Sequence, residues 1–343
     1  MVPGRTMTTA PALHASIVVR SYNRLPSLCE LLAALLAQRC EHSFEIVVIE
    51  QSTRVAPADA ARLEALAGDP RVRLLRFPPL GGPRARNVGV EAARGDIVAL
   101  IDDDDLPEDD RWLARLLAAY TDPRCLGISG RQRRWPGDEP TDAYRRAARR
   151  KCLGFTPLLR LPTTFVLHDQ PVAPVAAVHG TNGSIRRAAF VRFGGWDEDT
   201  TVEDESSFAY RAARSMQPGE YFAFDPAPIV VRGLAVAGGL DKRFVSPGRF
   251  YRRYLGFIHV IIGRYHPARV VLLYPAYVVA AYAITVAWLW GDSQGHRGAA
   301  SRTAAALGLL LTLPWHIVVA LWNDARAPRR PALPGRDSGA GPR

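Results

Sequence analysis

Two hydrophobic periods alternate along the first hundred residues of this 343-residue chain. Short runs that are apolar at nearly every position and rich in β-branched residues predict strands buried on both faces. Between them, leucine and alanine recur every three or four residues, which is the spacing of one helix face. The predicted strands cover residues 15–20, 44–49, 72–77 and 97–101, and the predicted helices cover 25–38, 58–66 and 83–93.

Strands that alternate with helices of this length predict an α/β fold with a mainly parallel central sheet. In such sheets, ligands bind beyond the carboxyl ends of the strands. Three of the predicted strands end in polar residues, which are Tyr22-Asn23-Arg24, Glu50-Gln51-Ser52 and Asp102 to Asp105. We therefore expect a ligand site where these three segments converge.

The middle of the chain is less regular. Residues 131–151 are strongly basic and predict a loop with a short helix. Residues 157–175 predict a long loop, a common place for a lid over a binding site. Order resumes over residues 179–214, which predict a strand followed by a helix.

The last third of the chain contains two long apolar stretches. Residues 270–290 include no charged residue over 21 positions, and a helix of that length spans roughly 31 Å, enough for the hydrocarbon core of a bilayer. Residues 303–322 form the second stretch, in which Pro314 predicts a kink. Together they predict a two-helix transmembrane hairpin. The alternative is a pair of buried helices in a soluble core.

Basic residues flank the two predicted spans and are sparse between them. The flanking arginines are Arg249, Arg252, Arg253, Arg264, Arg269, Arg326, Arg329, Arg330 and Arg336, whereas Arg297 and Arg302 lie between the spans. The positive-inside rule then places both termini in the cytoplasm and predicts a multi-pass protein of the cytoplasmic (plasma) membrane.

An apolar stripe precedes the first span. It consists of Phe250, Tyr254, Phe257, Ile258 and Ile261, and it predicts an amphipathic helix lying along the membrane surface. The predicted domains are thus a flexible N-terminus (1–14), a globular domain (15–235), this juxtamembrane segment (236–269), the hairpin (270–322, with spans 270–290 and 303–322) and a disordered basic tail (323–343).

The net charge of +11 is carried almost entirely by arginine. Such a balance suits nucleic acid, anionic lipid or an anionic substrate, and a genome-wide bias towards arginine codons explains the same charge. The chain has no recognition-helix motif and no aromatic-rich basic sheet, and basic residues beside a membrane account for the charge better. We therefore predict no nucleic-acid partner.

The cysteines and the N-terminal segment indicate in which cellular compartment the chain lies. Cys29, Cys40, Cys125 and Cys152 form no CxxC pair, which excludes a zinc-finger cluster and predicts buried free thiols in a reducing compartment. The first 14 residues are too short and too polar for a secretory signal, so we expect the N-terminal part in the cytoplasm.

Four consecutive aspartates, Asp102 to Asp105, follow the fully apolar fourth strand. Adjacent carboxylates repel one another unless a cation neutralises them. Carboxylate oxygens select hard ions such as Mg²⁺ or Mn²⁺, which are usually shared with substrate phosphates. The run therefore predicts a divalent-metal site at the sheet edge, and a solvated charge cluster is the alternative.

Three blocks of sequence resemble family 2 glycosyltransferases with the GT-A fold. Residues 16–24 (SIVVRSYNR) are similar to the first strand of that family, and residues 81–105 (GGPRARNVGVEAARGDIVALIDDDD) are similar to its helix, strand and DxD motif. Residues 179–211 (HGTNGSIRRAAFVRFGGWDEDTTVEDESSFAYR) resemble its acceptor-side segment, which ends in a Glu-Asp motif. The resemblance covers roughly residues 15–215 and implies a GT-A nucleotide-sugar-binding fold and an inverting reaction.

The resemblance also implies a role for individual residues. Tyr22, Glu50, Gln51, Arg86, Asn87, Asp102 and Asp103 would lie on the donor side, with Tyr22 stacked on the base. Asp104 would ligate Mn²⁺ or Mg²⁺. Asn182, Trp196 and Glu203 would lie on the acceptor side. Asp204 would be the general base, since inversion by one in-line displacement needs a carboxylate to take the proton of the acceptor hydroxyl. Helix capping is the alternative role of Asp204, and Glu205 is a second candidate for the base.

The second strand departs from the family pattern. In the family, this strand commonly ends in paired aspartates that contact the base, whereas this chain has Glu50-Gln51-Ser52. Arg20 also stands where the family commonly has a small residue. The usual uracil contact is thus in doubt, and guanine or thymine are open as nucleobases.

These observations predict a membrane-attached, metal-dependent hexosyltransferase-like enzyme. It would move a single sugar from a nucleotide-sugar to a hydroxyl acceptor, a lipid-linked saccharide in cell-surface polysaccharide or glycolipid synthesis. Two alternatives stay open: a polyprenyl-phosphate glycosyltransferase, and a non-catalytic membrane-anchored protein that binds nucleotide-sugars. Retention of both Asp104 and Asp204 argues against the non-catalytic alternative, because a binding protein needs no base.

Overall fold

The computed structural model describes residues 14–134, 155–161, 170–198, 204–232, 246–291 and 299–326. Several predictions concern residues outside these ranges. They are the flexible segment 1–13, most of the basic stretch 131–151 with Cys152, residues 162–169 of the long loop, Glu203, and the tail from residue 327. The side chain of Asp204 also lies outside the described part of the chain.

The first hundred residues form a parallel sheet flanked by helices, as predicted. Four strands, β1 (His14–Ser21), β2 (Ser43–Glu50), β3 (Val72–Arg76) and β4 (Ile97–Asp102), lie in the order β3-β2-β1-β4 with every neighbouring pair parallel. Helices α1 (Leu25–Leu36), α2 (Pro57–Ala67) and α3 (Gly82–Ala92) connect them. Their bounds agree with the predicted ones within two residues.

Strands β1, β2 and β4 are buried on both faces, and alternate residues enter different cores. Ile17 and Val19 of β1 pack in one cluster with the leucines of α1. Val18 enters the other cluster, together with Ala85 and Val90 of α3. Because successive side chains of a strand point to opposite faces, an unbroken apolar run fills both layers at once.

The second half of the domain adds shorter and less regular elements. They are β5 (Asp105–Pro107), α4 (Trp112–Ala118), β6 (Cys125–Arg134), β7 (Val172–Val175), β8 (Asn182–Arg186), α5 (Arg187–Arg192), α6 (Asp204–Ser215) and β9 (Tyr221–Arg232). The strand and helix predicted within residues 179–214 are therefore confirmed. The full strand order is β3-β2-β1-β4-β8-β6-β9-β5, with β7 paired to β9.

The predicted α/β fold is confirmed, and its sheet is mixed, with parallel pairs among β1 to β4 and between β6 and β9. Strand β8 runs antiparallel to both β4 and β6, and β5 and β7 run antiparallel to β9. The sequence pattern missed β6 and β9 because glycines interrupt the first and Pro226 and Pro228 interrupt the second. These residues are poor strand formers, and the β6–β9 ladder has register shifts beside them.

The chain ends in a bundle of helices. They are α7 (Pro247–Phe257), α8 (Pro267–Leu272), α9 (Tyr274–Gly291), α10 (Ala299–Leu311) and α11 (Leu313–Arg326). A π-helical turn, Ile258–Ile262, and a short α-helical turn, Gly263–Tyr265, extend α7. Helix α11 continues past Trp322 to Arg326, although the sequence predicts a disordered tail from residue 323.

Both predicted membrane spans are divided in the structure. The first is broken at Leu273, between α8 and α9, and the second at Thr312, between α10 and α11. In each case a proline, Pro275 or Pro314, occupies the second position of the new helix, where the missing N–H is tolerated but the preceding helix cannot continue. The kink at Pro314 was predicted, and the break before Pro275 was missed.

Among the described residues, no single helix is both long and apolar enough to cross a membrane. The pair α10 and α11 meets the length and composition requirement only when its two halves, bent by 63°, are taken together over Ala299–Leu311 and Leu313–Trp322.

The apolar stripe before these helices is largely covered by protein. Phe257, Ile258 and Ile261 are buried in a third core cluster, which also contains Tyr277 of α9 and Ala320 of α11. Helix α7 thus packs its apolar face against the C-terminal helices.

Candidate active site

The carboxyl ends of β1, β2 and β4 meet at one edge of the sheet, as the sequence predicted. The register pairs Arg20 of β1 with Asp102 of β4, and Ser21 of β1 with Glu50 of β2. The strand order reverses direction at β1, because β2 lies on one side of it and β4 on the other. Such a switch point opens a crevice between the loops that leave the two strands.

Every carboxylate of the acidic run contacts an arginine in this crevice. Asp102 Oδ1 accepts from Arg86 Nη2 at 3.1 Å and lies 3.2 Å from Arg20 Nη2. Arg24 Nη1 lies 2.9 Å from Asp103 Oδ1 and 3.0 Å from Asp104 Oδ2.

The last aspartate of the run is partnered from the far side of the sheet. Asp105 is fully buried, and its Oδ1 lies 3.2 Å from Arg232 Nε at the end of β9. Its second oxygen, Oδ2, is buried and has no hydrogen-bond partner among the residues that the structure describes. Arginines of the chain therefore supply part of the neutralising positive charge that the sequence analysis expected from a cation.

Burial and the arginines act on these carboxyl groups in opposite directions. Burial favours the neutral acid at Asp102, but Arg20 and Arg86 outweigh it and hold the pKa of that carboxyl well below its usual range. Burial raises the pKa of Asp103 to about 6 despite Arg24 and the Ser21 hydroxyl. Burial also raises the pKa of Asp105, which Arg232 only partly offsets.

Three of the four aspartates form a group that can hold a metal ion. Ligand oxygens of Asp102, Asp104 and Asp105 lie within 4.8 Å of one another. Asp104 has the most exposed carboxylate of the three, at 18%. An all-oxygen set with one solvent-facing member fits Mg²⁺ or Mn²⁺, which keeps positions for substrate oxygens. Asp103 lies outside this group and accepts a hydrogen bond from Ser21 Oγ at 2.8 Å.

A short chain of contacts links the acidic run to the start of α6. Arg86, which holds Asp102, packs against Gly180 so closely that a Cβ there would lie 2.8 Å from the guanidinium carbon. Gly180 N in turn donates to Glu205 Oε1 at 3.3 Å. The first turn of α6, which begins at Asp204, therefore borders the crevice.

The loops after β1 and β2 are joined by side-chain hydrogen bonds. Asn23, whose φ of 56° lies in the left-handed region, accepts from the backbone N–H groups of Thr53 and Arg54 at 2.9 and 3.1 Å. Its own N–H donates to Ser52 Oγ at 2.7 Å. Tyr22, directly after β1, is 50% exposed, and its stacking on a donor base stays a prediction.

Glu50 and Gln51, predicted on the donor side, are buried and bonded within the protein. Glu50 Oε1 accepts from Ser52 N at 2.6 Å, and Gln51 Oε1 accepts from Leu80 N at 2.8 Å. Gln51 therefore ties the end of β2 to the segment before α3. Both residues shape the crevice through the backbone that they hold.

Three further predicted site residues are tied up in the protein interior. Asn87 bonds the backbone N–H and carbonyl of Trp196, both at 2.9 Å. The Trp196 ring is fully buried and packs on Phe190 and Phe208. Asn182 accepts from Trp112 Nε1 at 2.8 Å and donates to two backbone carbonyls. Asn182 and Trp196 thus hold the core together through these polar atoms and the indole ring, and their acceptor-side roles stay predictions.

The sequence missed the roles of Arg24 and Arg232. Arg24 was noted only as part of a polar strand end, and Arg232 lies 127 residues from the carboxylate that it pairs with. No local pattern signals that pairing. Three cysteines, Cys29, Cys40 and Cys125, are free thiols, and two of them are buried, close to the prediction.

Comparison with known proteins identifies a family match over the sheet and the crevice. The family model described as Glycosyl transferase family 2 matches residues 16–193. The uncharacterized glycosyltransferase YwdF of Bacillus subtilis (strain 168) is 36% identical over 94 residues, which cover 27% of this chain and 33% of that protein. The succinoglycan biosynthesis protein ExoO of Rhizobium meliloti (strain 1021) is 37% identical over 97 residues, 28% of this chain and 27% of that protein. The chain thus matches about a third or less of the length of these relatives.

Solved structures share the fold at low identity. The mannosyltransferase PcManGT of Pyrobaculum calidifontis, in complex with GDP-Man and Mn²⁺, has a TM-score of 0.54 at 19% identity and covers 93% of this chain and 88% of its own. GalNAc-T7 with UDP, GalNAc and Mn²⁺ has a TM-score of 0.52 at 18% identity, covering 74% and 50%. Residues 1–349 of S. aureus TarS have a TM-score of 0.52 at 15% identity, covering 94% and 95%. These similarities, with the family match, confirm the predicted GT-A fold.

Proposed function

The chain belongs to glycosyltransferase family 2, and we propose that it is a metal-dependent, inverting enzyme that moves one sugar from a nucleotide-sugar to a hydroxyl acceptor. The observation that carries this proposal is the convergence of Asp102, Asp104 and Asp105 at the switch point of the sheet. The acceptor would be a lipid-linked saccharide in polysaccharide or glycolipid synthesis. The printed name of ExoO, a succinoglycan biosynthesis protein, supports this class of product.

The proposed metal is Mn²⁺ or Mg²⁺, held by Asp104 with Asp102 and Asp105. When bound, it would stabilise the negative charge that develops on the departing nucleoside diphosphate. The arginines have a different task, since Arg24 and Arg86 hold the carboxylates in place before any ligand arrives. Preorganised charges of this kind need no rearrangement during the reaction.

The donor would lie across the ends of β1 and β2. Tyr22 offers an exposed ring for stacking on the base. Neither strand end presents the paired aspartates that would read uracil, and Gln51 Oε1 is already engaged by Leu80 N. A donor carrying guanine or thymine is therefore our proposal for this crevice.

Asp204 is the proposed general base. Its backbone opens α6, and the contacts from Asp102 through Arg86 and Gly180 to Glu205 bring that helix end to the crevice. In an inverting reaction, a carboxylate on the face opposite the leaving group accepts the proton of the attacking hydroxyl. Glu205 is the weaker candidate, since its Oε1 accepts the Gly180 N–H.

Membrane attachment is proposed for the C-terminal helices, with the catalytic domain on the cytoplasmic side. Large apolar side chains are exposed there: Val271, Leu272, Val279, Leu307, Leu311, Trp315, Val318 and Trp322 are each at least half exposed. Several large apolar side chains exposed on neighbouring helices support a membrane or protein contact. The bend of 63° between α10 and α11 favours an embedded, bent pair over a straight hairpin.

The test is release of nucleoside diphosphate from a panel of UDP-, GDP- and TDP-sugars in the presence of Mn²⁺. We expect Asp104→Ala to lower turnover on the order of 10³-fold by loss of metal charge stabilisation, and Asp204→Asn to lower it roughly 10²–10⁴-fold. Asp110→Ala is the matched control, because that aspartate forms an ion pair with exposed Arg39 and lies outside the run Asp102 to Asp105. Unchanged turnover in both site variants would overturn the mechanism. Failure to bind any donor would overturn both the enzyme and a binding protein.

A further inference from the structure

A cluster of aromatic rings joins the catalytic domain to the C-terminal helices on the side away from the aspartates. Tyr210 of α6 stacks on Phe155 with ring centroids 4.8 Å apart and on Tyr265 at 5.3 Å, and it meets His266 edge-on at 5.5 Å. Its hydroxyl donates to the carbonyl of Arg160. The Tyr210 side chain therefore joins α6 to residues 155–160 and to residues 265–266.

Three arginines surround this junction. Arg269 Nη1 donates to the carbonyls of Leu158 at 2.5 Å and Pro157 at 3.4 Å. Arg214 donates to the carbonyl of Tyr265 at 2.5 Å and lies over its ring at 5.3 Å. The Arg160 guanidinium lies 5.0 Å from the ring centroid of Phe155. Burial lowers the pKa of His266, and the charges of these three arginines lower it further, as expected for cations grouped around one imidazole.

None of these three arginines has a carboxylate partner within the described ranges. The contrast with two neighbours is direct, because Arg211 and Arg264 share the carboxylate of Asp197. Among the residues that the structure describes, Arg160, Arg214 and Arg269 contact carbonyls and rings, which orient a guanidinium without neutralising it. We name the group of Arg160, Arg214, His266 and Arg269 the basic corner.

An apolar groove adjoins the basic corner. It has a volume of about 470 Å³ and is lined by His266, Pro267, Ala268, Arg269, Leu272 and Leu273. Leu272, which lines the groove, and its neighbour Val271 are 78% and 76% exposed. Positive charge from Arg269 and exposed apolar surface at Leu272 match a molecule with an anionic head and a hydrocarbon tail.

We propose that the basic corner binds the phosphate of an anionic phospholipid headgroup, with an acyl chain lying along the groove towards Leu272. The inference rests on the proposed membrane attachment and names the lipid that would orient the catalytic domain on the bilayer. Arginines near an anionic membrane surface attract its headgroups, and their long apolar stems tolerate the interface.

The position along α6 separates this lipid site from the reacting groups. Arg214 follows Asp204 by ten residues on the same helix, which corresponds to roughly 15 Å at the α-helical rise. A phosphate held at the basic corner is therefore too far from the proposed base to belong to the attacking hydroxyl. This distance excludes a phosphate that is itself the attacking group, so we assign the basic corner to a membrane phospholipid.

The test compares lipid binding by the full chain in a mild non-ionic detergent. Phosphatidylglycerol with a fluorescent acyl chain is titrated against phosphatidylcholine with the same chain. We expect a preference for the anionic lipid that the triple variant Arg160→Gln/Arg214→Gln/Arg269→Gln loses. On the order of fivefold per arginine, the loss amounts to roughly 100-fold in the ratio of dissociation constants.

Two further variants control for folding and for total charge. The triple Arg→Lys variant at the same positions keeps the charge and should keep most of the preference. The triple variant Arg39→Gln/Arg62→Gln/Arg94→Gln removes the same charge from exposed positions elsewhere and should keep all of it. Equal losses in the two Gln variants, or an unchanged preference in the basic-corner variant, would overturn the proposal. So would displacement of the lipid by an equal concentration of inorganic phosphate.

Nucleoside diphosphate release is measured on the same samples. A chain that turns over a donor but shows no anionic-lipid preference refutes only the headgroup site. A chain that keeps the preference but turns over no donor in the panel refutes only the proposed function.

Discussion

The crevice and the basic corner treat charge in opposite ways. In the crevice, each of the four aspartates from Asp102 to Asp105 contacts an arginine of the same chain. At the basic corner, three arginines have carbonyl and ring contacts but no carboxylate partner among the described residues. Compensated charges hold a site in shape before its ligand binds, whereas an uncompensated group indicates a partner from outside the chain.

The two regions also differ in where they place apolar surface. The strands that end at the crevice are buried on both faces, and the residues from Ile97 to Ile101 are at most 1% exposed. The C-terminal helices bury one side against α7 and leave Leu311 83% exposed. The strands at the crevice are thus enclosed in a protein core, whereas the C-terminal helices expose an apolar surface that we propose contacts the membrane.

The largest expected effect comes from removing an internal counter-charge. Arg24→Ala leaves Asp103 and Asp104, which are 6% and 18% exposed, without their shared cation. We expect the free energy of unfolding to fall by roughly 3 kcal/mol, since breaking a buried pair leaves an uncompensated charge. Urea denaturation of the full chain measures it.

The matched control is Arg39→Ala, which breaks a pair whose side chains are 77% and 42% exposed. An exposed pair of this kind contributes roughly 0–1 kcal/mol. An equal loss of unfolding free energy in the two variants would show that the Arg24 pairs in the crevice stabilise the fold no more than an exposed pair does.

A pH dependence of intermediate size is expected at His179, beside the crevice. Burial, with a smaller contribution from Arg232, lowers the pKa of His179 to about 4. The folded pKa lies below the unfolded value of about 6.5, so the stabilisation is complete above pH 6.5 and is lost as the pH falls towards 4. Because the residue is partly exposed, we expect a loss of roughly 2 kcal/mol, less than the full shift implies.

The measurement is the free energy of unfolding at pH 7.5 and pH 4.5 for the wild type and for His179→Gln. The difference between the two pH values should be smaller in the variant by about the stated amount. An identical pH dependence in both proteins would show that the ring ionises as freely in the folded state as in the unfolded state.

The smallest expected effect concerns the exposed apolar side of α10. Leu311→Ala should change the free energy of unfolding in detergent by no more than about 0.5 kcal/mol, because its side chain contacts little protein. Leu309→Ala, two residues earlier and 3% exposed, should cost about 2 kcal/mol through the cavity that it leaves. A large loss for Leu311→Ala would mean that protein covers that side of α10.

The sequence by itself determined the parallel half of the sheet and the position of the acidic run. Strands β1 to β4 are runs that are rich in apolar residues, and such runs are specified within windows of a few residues. Because Asp102 is the last residue of β4, it lies at the carboxyl edge of the sheet, whatever the rest of the chain does. The resemblance to the family added the assignment of Asp104 and Asp204 to particular roles.

Only the tertiary structure decided which residues meet across the molecule. The pairing of Asp105 with Arg232 depends on β5 lying beside β9, which no local pattern encodes. The interior positions of Asn182 and Trp196 follow from how β8 and α6 pack. Hydrophobic periodicity reports one element at a time, and the partner of a buried polar group is set by the order of strands and by the close packing of the finished core.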